Sequence, residues 1–234
     1  MTITKFSAEV LENLLLAPGV HHIVLGLQNP SEIDFTAGQY ATFILNPSIR
    51  RSYSFCSSPK LKNRLELCAD NYAGGPGSAW LDSLKTKDHV EFLAPLGKFM
   101  VDHNSSKEKV FVATGTGIAP IRSMIFDLLE REPVQKVILL FGIRSQENGL
   151  FFADFEKLAQ KNKNFLYQPI ISQPSEGWLG EKGRVNYLLE KMDKDYCLNS
   201  KFYLCGNHHM INGVKEQLKR IGVLPEDIHF EQFY

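Results

Sequence analysis

The most constraining feature of the 234-residue chain is a change of rhythm near residue 105. Beyond a polar stretch at 102–109, short runs of β-branched and aromatic residues alternate with longer helical patterns. The runs at 110–113, 137–141, 165–171 and 201–204 lead to helical patterns over 121–131, 152–161, 185–192 and 211–221, and a last apolar piece occupies 228–233. Strand–helix alternation of this kind predicts a mainly parallel sheet with helices on both faces. The length has room for two domains, expected at 1–104 and 105–234.

The first hundred residues read differently. Alternating or β-rich runs at 5–12, 21–27, 40–45, 51–55, 64–69 and 89–93 are separated by turn clusters such as Ala17-Pro18-Gly19, Asn29-Pro30 and Ser58-Pro59-Lys60. Six strands at this spacing predict a small antiparallel barrel. One helix is expected to interrupt it, beginning near Ser78 after Gly74-Gly75-Pro76-Gly77.

Composition narrows the function classes. The 26 basic and 26 acidic side chains cancel, so no global field draws the chain to nucleic acid or an anionic membrane. Neither a leader pattern nor a run of about 18 apolar residues occurs, so no membrane insertion and a cytoplasmic location are expected. The four cysteines, Cys56, Cys68, Cys197 and Cys205, have the spacing of neither a disulfide framework nor a metal or iron–sulfur motif, so no metal is expected.

Three segments can carry chemistry. In Thr114-Gly115-Thr116-Gly117-Ile118-Ala119-Pro120 a strand runs into two glycines and then a proline that opens a helix. Glycine lets backbone approach a phosphate, and the helix start favours an anion. A tight strand-to-helix turn without a ligand has the same appearance, and neither a third glycine nor an acidic residue after Phe141-Gly142 completes an ordinary dinucleotide fingerprint. In Arg51-Ser52-Tyr53-Ser54, strand alternation sends Arg51 and Tyr53 to one face and Ser52 and Ser54 to the other. An arginine suits a pyrophosphate, a tyrosine ring a flat ligand and a serine hydroxyl a ring nitrogen; a solvated barrel strand reads the same way. The third segment is the sheet's carboxyl edge, at Cys205-Gly206-Asn207 and Phe230-Glu231-Gln232-Phe233-Tyr234.

Jointly and in order, these residues resemble the ferredoxin–NADP reductase superfamily along essentially the whole chain. Arg51-Ser52-Tyr53-Ser54 resembles its R-x-Y-S flavin motif, Gly74-Gly75-Pro76-Gly77-Ser78 its glycine-rich turn, and Pro95-Leu96-Gly97-Lys98-Phe99 its P-x-G-x-F. Thr114 to Pro120 is similar to T-G-x-G-x-x-P, Cys205-Gly206 with Met210 to C-G-x-x-x-M, and Glu231 with Phe233 to the terminal E-x-aromatic. The resemblance implies a six-stranded antiparallel FAD-binding β-barrel followed by a Rossmann-like parallel sheet that binds NAD(P). It also implies an NAD(P)H-dependent flavoprotein reductase that passes hydride to bound FAD and electrons to a ferredoxin, flavodoxin or oxygenase component.

Carried over by position, it implies that Arg51 pairs with the FAD pyrophosphate, Tyr53 lies on the isoalloxazine and Ser54 bonds flavin N5, with Ser52 in the same motif. Gly75, Pro76, Gly77 and Ser78 would hold the pyrophosphate. Thr114, Gly115, Thr116, Gly117 and Pro120, with Gly206, would hold the nicotinamide nucleotide. Cys205 would stand near the reacting carbon and Glu231 tune it, so that Ser54, Cys205 and Glu231 form the catalytic set. Phe233 or Tyr234 would cover the flavin. Where NADPH-selective members place Ser-Arg, this chain reads Ser172-Gln173, which favours NADH, although Arg144 can supply charge from another loop. The segment 173–180 resembles the bacterial oxygenase-reductase branch, without an attached ferredoxin domain. A reductase of diffusible FAD or FMN and a redox-sensing or electron-transfer subunit stay open as alternatives.

Overall fold

The computed structural model describes residues 2–131 and 135–233, and of Phe233 the backbone alone. Its first part comprises β1 (Thr4–Ala17), β2 (Val20–Asn29), β3 (Tyr40–Asn46), β4 (Ile49–Ser54), β5 (Arg64–Asp70), α1 (Pro76–Ser83) and β6 (His89–Leu96). The strands pair antiparallel in the order β4-β3-β6-β1-β2-β5. A bridge between Phe55, just past β4, and Leu67 of β5 brings the two edges together and closes the barrel. Alternate residues point inward: Phe6, Ala8 and Val10 of β1, Ile23 and Leu25 of β2, Leu65 and Leu67 of β5 form one core with Phe43, Phe55 and Phe92.

The second part comprises β7 (Glu108–Thr114), α2 (Ile118–Arg131), β8 (Val137–Ile143), α3 (Phe152–Lys161), β9 (Phe165–Ile171), β10 (Glu181–Lys182), α4 (Val185–Glu190), α5 (Lys194–Leu198), β11 (Ser200–Asn207), α6 (His208–Ile221) and β12 (Ile228–Phe233). Its strands are all parallel, in the order β10-β9-β8-β7-β11-β12. Strand alternation divides the sheet between two layers. Phe111, Ala113, Leu139 and Phe141 pack on α2 and α3, while Val110, Val112, Ile138 and Leu140 pack on α4, α5 and α6. Every residue of β8 is buried, as expected of a strand covered on both faces.

Strand order reverses at β7, which has β8 on one side and β11 on the other. In open parallel sheets a crevice forms at such a switch point, outside the carboxyl ends of the strands. The helix after β7 also makes the contact with the barrel: α2 shares one apolar cluster with Ala17, Val20, Ala37, Cys56, Cys68 and Phe99. α2 begins at Ile118, three residues before the sequence pattern suggests, and Pro120 sits in its first turn. There a missing N–H removes no intrahelical bond.

Candidate functional site between the two sheets

On the barrel side the site is built from β4 and the start of α1. Arg51 and Tyr53 share a face, and both lie against Gly77: a Cβ there would stand 3.2 Å from Arg51 Cγ and 3.2 Å from Tyr53 Oη. Gly74 and Gly75 have φ of 64° and 92°, in the left-handed region that favours glycine, and among the described residues nothing lies within 4 Å of the side-chain position at either. The first helical bond of α1 runs from Ala79 N to Gly75 O, so the N–H groups of Gly77 and Ser78 have no partner within the helix. Among the described residues no side chain caps them. Donors without an intrahelical partner, an adjacent guanidinium and a glycine turn with open space fit a pyrophosphate.

Neighbouring side chains hold these parts still. Tyr53 stacks on Trp80 of α1, centroids 5.7 Å apart and planes 13° from parallel. Burial pushes the Tyr53 phenol up to about 12, against the pull of Arg51, so it stays a neutral ring. Asn13 Nδ2 donates to the carbonyls of Leu81 (3.1 Å) and Leu84 (2.9 Å), which satisfies the end of α1. His21 bridges Asn13 to Asp82 with contacts of 2.9 and 3.0 Å. Ser52 is turned away, 2.9 Å from Thr42 Oγ1 on β3.

On the sheet side, β7 ends at Thr114 and passes through a single 3-10 turn, Gly115–Gly117, into α2. Gly115 has φ 53° and open space at its side-chain position. Gly117 has none: a Cβ would lie 2.5 Å from the carbonyl carbon of Cys205 and 2.6 Å from Gly206 N. This close approach seats the turn on β11 at the switch point. At its foot the Thr114 hydroxyl is buried without a hydrogen-bond partner among the described residues. An orphaned buried polar atom beside an open glycine turn suits a nucleotide ligand.

At the seam, among the described residues, two hydrogen bonds join β4 and β5 to the sheet side. Ser54 Oγ donates to Glu231 Oε2 at 3.3 Å, and Thr116 Oγ1 donates to Asp70 Oδ2 at 2.6 Å. Glu231 pairs in register with Cys205 on the neighbouring strand. Burial raises the Glu231 carboxyl above its ordinary value, partly offset by the Ser54 hydrogen bond. Burial, then the Glu231 charge, raises the Cys205 thiol far more, and at 0% exposure it is a neutral group beneath the surface.

The structure therefore brings Arg51, Tyr53, Gly77 and Ser78 together, and joins them through Ser54 to Glu231, Cys205, Gly206 and Gly117. It does not bring Ser52 there. Pro120 is buried in the first turn of α2, and Arg144 stands at the end of β8, its Nε donating to Gln173 Oε1 at 3.0 Å. The backbone of Phe233 pairs with Asn207; its side chain and Tyr234 lie outside the described residues. Sequence reasoning misses Asp70, Asn13 and Trp80. Only Trp80 leaves a signal, three residues past Gly77 on the same short helix.

A closed antiparallel barrel and an open parallel sheet, each presenting a glycine turn to a shared seam, define a two-domain dinucleotide-dependent reductase. Residues 7–101 match the oxidoreductase FAD-binding domain and residues 111–216 the oxidoreductase NAD-binding domain, and the chain belongs to the ferredoxin–NADP reductase superfamily. The phenol hydroxylase P5 protein of Acinetobacter pittii is 30% identical over 99% of this chain, which spans 66% of that protein's length. Ferredoxin–NADP reductase B of Sorangium cellulosum is 27% identical, with 97% of each chain covered. Among solved structures, the Amycolatopsis cytochrome P450 reductase GcoB superposes with a TM-score of 0.90 at 26% identity, over 99% of this chain and 70% of that one. Among the described residues no helix is long and apolar enough to cross a membrane.

Proposed function

We propose that this protein takes hydride from a reduced nicotinamide dinucleotide onto FAD held by the barrel and delivers the electrons to a separate acceptor protein. The observation that carries this reading is the Ser54–Glu231 hydrogen bond, which ties the flavin strand to the nicotinamide edge across 177 residues of sequence. In this reading FAD supplies the redox chemistry, and the chain supplies alignment and electrostatics.

Arg51 neutralises the pyrophosphate, and the Gly75–Ser78 backbone donates to it. Tyr53, fixed by Trp80, offers a flat face to the ring system. Ser54 serves the flavin edge and Glu231 the nicotinamide edge. Thr114, Gly115, Thr116 and Gly117 receive the second nucleotide, and Asp70 holds the Thr116 hydroxyl until it arrives. Cys205 contributes shape rather than a thiolate. We assign the far end of the nucleotide to Arg144 and Gln173, joined at the sheet's carboxyl edge; glutamine rather than arginine there supports a preference for NADH. The division between the two roles falls between residues 104 and 105, in the segment linking β6 to β7. We place the protein in the cytoplasm.

Relatives named for phenol hydroxylase and for a cytochrome P450 support an oxygenase component, or an intermediary ferredoxin or flavodoxin, as the acceptor. A reductase of free flavin is the second reading; the open glycine turn before α1 favours retained FAD, because it offers phosphate donors beyond those a visiting flavin needs. Gel filtration of FAD-loaded protein tests the choice. Protein that stays yellow supports the prosthetic group, and colourless protein with fast free-flavin turnover supports the second reading.

A further inference from the structure

α2 is buried between sheet and barrel, yet it carries a cation, Arg122, at 7% exposure, five residues past Gly117. Its guanidinium addresses both halves of the molecule. Nη1 donates to the Cys56 carbonyl at 2.7 Å and to Glu66 Oε2 at 3.0 Å on the barrel, and Nη2 donates to Asp154 Oδ2 at 2.9 Å on α3. The rings of Phe126 and Phe151 cover it, their centroids 4.5 and 4.3 Å from Cζ. His22 completes the arrangement, 3.3 Å from Glu66 Oε2 and edge-on to the Phe151 ring.

Phe151 supplies an independent observation. Its φ of 56° is left-handed, where a bulky side chain is an outlier and stores strain. Cover over the guanidinium and His22 is what that conformation gains. His22, Cys56 and Glu66 also offer ligand atoms within 4.8 Å of one another, but that carboxylate already carries the Arg122 guanidinium and, at 3.5 Å, that of Arg64.

Among the described residues, the two hydrogen bonds that cross at the site are each only part-buried. A rotation of α2 on the barrel would move the Gly115–Gly117 turn and β11 relative to β4. We propose that Arg122 is a positioning residue, a two-ended clamp that holds the nucleotide domain on the barrel in the orientation that hydride transfer requires. The proposal rests on the reading above. Lysine cannot replace it, because one ammonium cannot serve two partners in a plane while stacked between two rings.

The test compares Arg122→Lys, Arg122→Met and the double variant Arg122→Met with Glu66→Gln, which leaves no lone buried carboxylate. The two tryptophans fall one in each half, Trp80 on α1 and Trp178 beyond β9, so Trp178→Phe and Trp80→Phe backgrounds report each domain separately. In urea the parent protein is expected to unfold in one transition seen by both reporters, and the Arg122 variants in two. With both tryptophans in place, FAD affinity of the Arg122 variants is expected to stay within about twofold of the parent, while the single-turnover rate of flavin reduction at saturating NADH falls at least tenfold. Arg122→Lys restores much of the stability and little of the rate. Asp154→Asn, which loosens only the outer end of the clamp, lowers the rate by roughly threefold and keeps the fold. Variants whose domains still unfold together, or whose bound flavin is reduced at the parent rate, overturn the clamp. If the parent's flavin is not reduced at all, the functional reading fails, and the tryptophan transitions still decide whether Arg122 couples the domains.

Discussion

Gly115 and Gly117 stand two residues apart and do different things. Gly117 has β11 backbone where a side chain would go, so Gly117→Ala must push the turn off Cys205 and Gly206. It is expected to lower stability by about 1–3 kcal/mol in urea titration and to abolish NADH binding. Gly115 has space but a left-handed φ, so Gly115→Ala is expected to lower stability by only about 1 kcal/mol. Glu231 gives a prediction in pH. Its carboxyl is raised by burial, so flavin reduction should fall on the acid side through a pKa above the ordinary carboxylate value. Glu231→Gln should lose that limb and run roughly tenfold slower at neutral pH, with FAD affinity unchanged. The legible part of the site was contiguous: turns and strand ends whose residues stand side by side. Asp70 and Arg122 were not legible, because their partners lie 46 and 66 residues away and become neighbours only on folding.

At the scale of elements, α1 depends on a strand far from it in sequence. Asn13→Ala leaves the carbonyls of Leu81 and Leu84 without their donor and should lower stability by about 1–2 kcal/mol. Because the start of α1 is the proposed pyrophosphate site, FAD should also bind several-fold more weakly, as titration of the apoprotein would show. Both sheets were legible because alternation and strand–helix rhythm are local signals. β1 runs to Ala17 rather than ending near residue 12, since the register shift between Val10 and Glu12 resets the alternation and the Leu14-Leu15-Leu16 run then hides it. β10 and α5, two and five residues long, are too short to show a period.

At the scale of the molecule, charge is buried between the two halves, where Arg122 meets Glu66. Burial pushes the Glu66 carboxyl up, but the His22 hydrogen bond and the Arg122 guanidinium outweigh it and draw it from 4.5 down to about 2. A carboxyl held low in the fold stabilises it fully above its unfolded pKa, and that contribution disappears as pH falls from 4.5 toward 2. It amounts to about 2–3 kcal/mol. The urea midpoint should drop over that acid range, and Glu66→Gln should flatten the drop.

The central claim is that both dinucleotides meet at the Ser54–Glu231 seam, and anaerobic mixing of the FAD-loaded protein with NADH tests it most directly. Flavin absorbance is expected to bleach on mixing, faster with NADH than with NADPH. Protein that binds FAD but keeps its full absorbance with either nucleotide would contradict it.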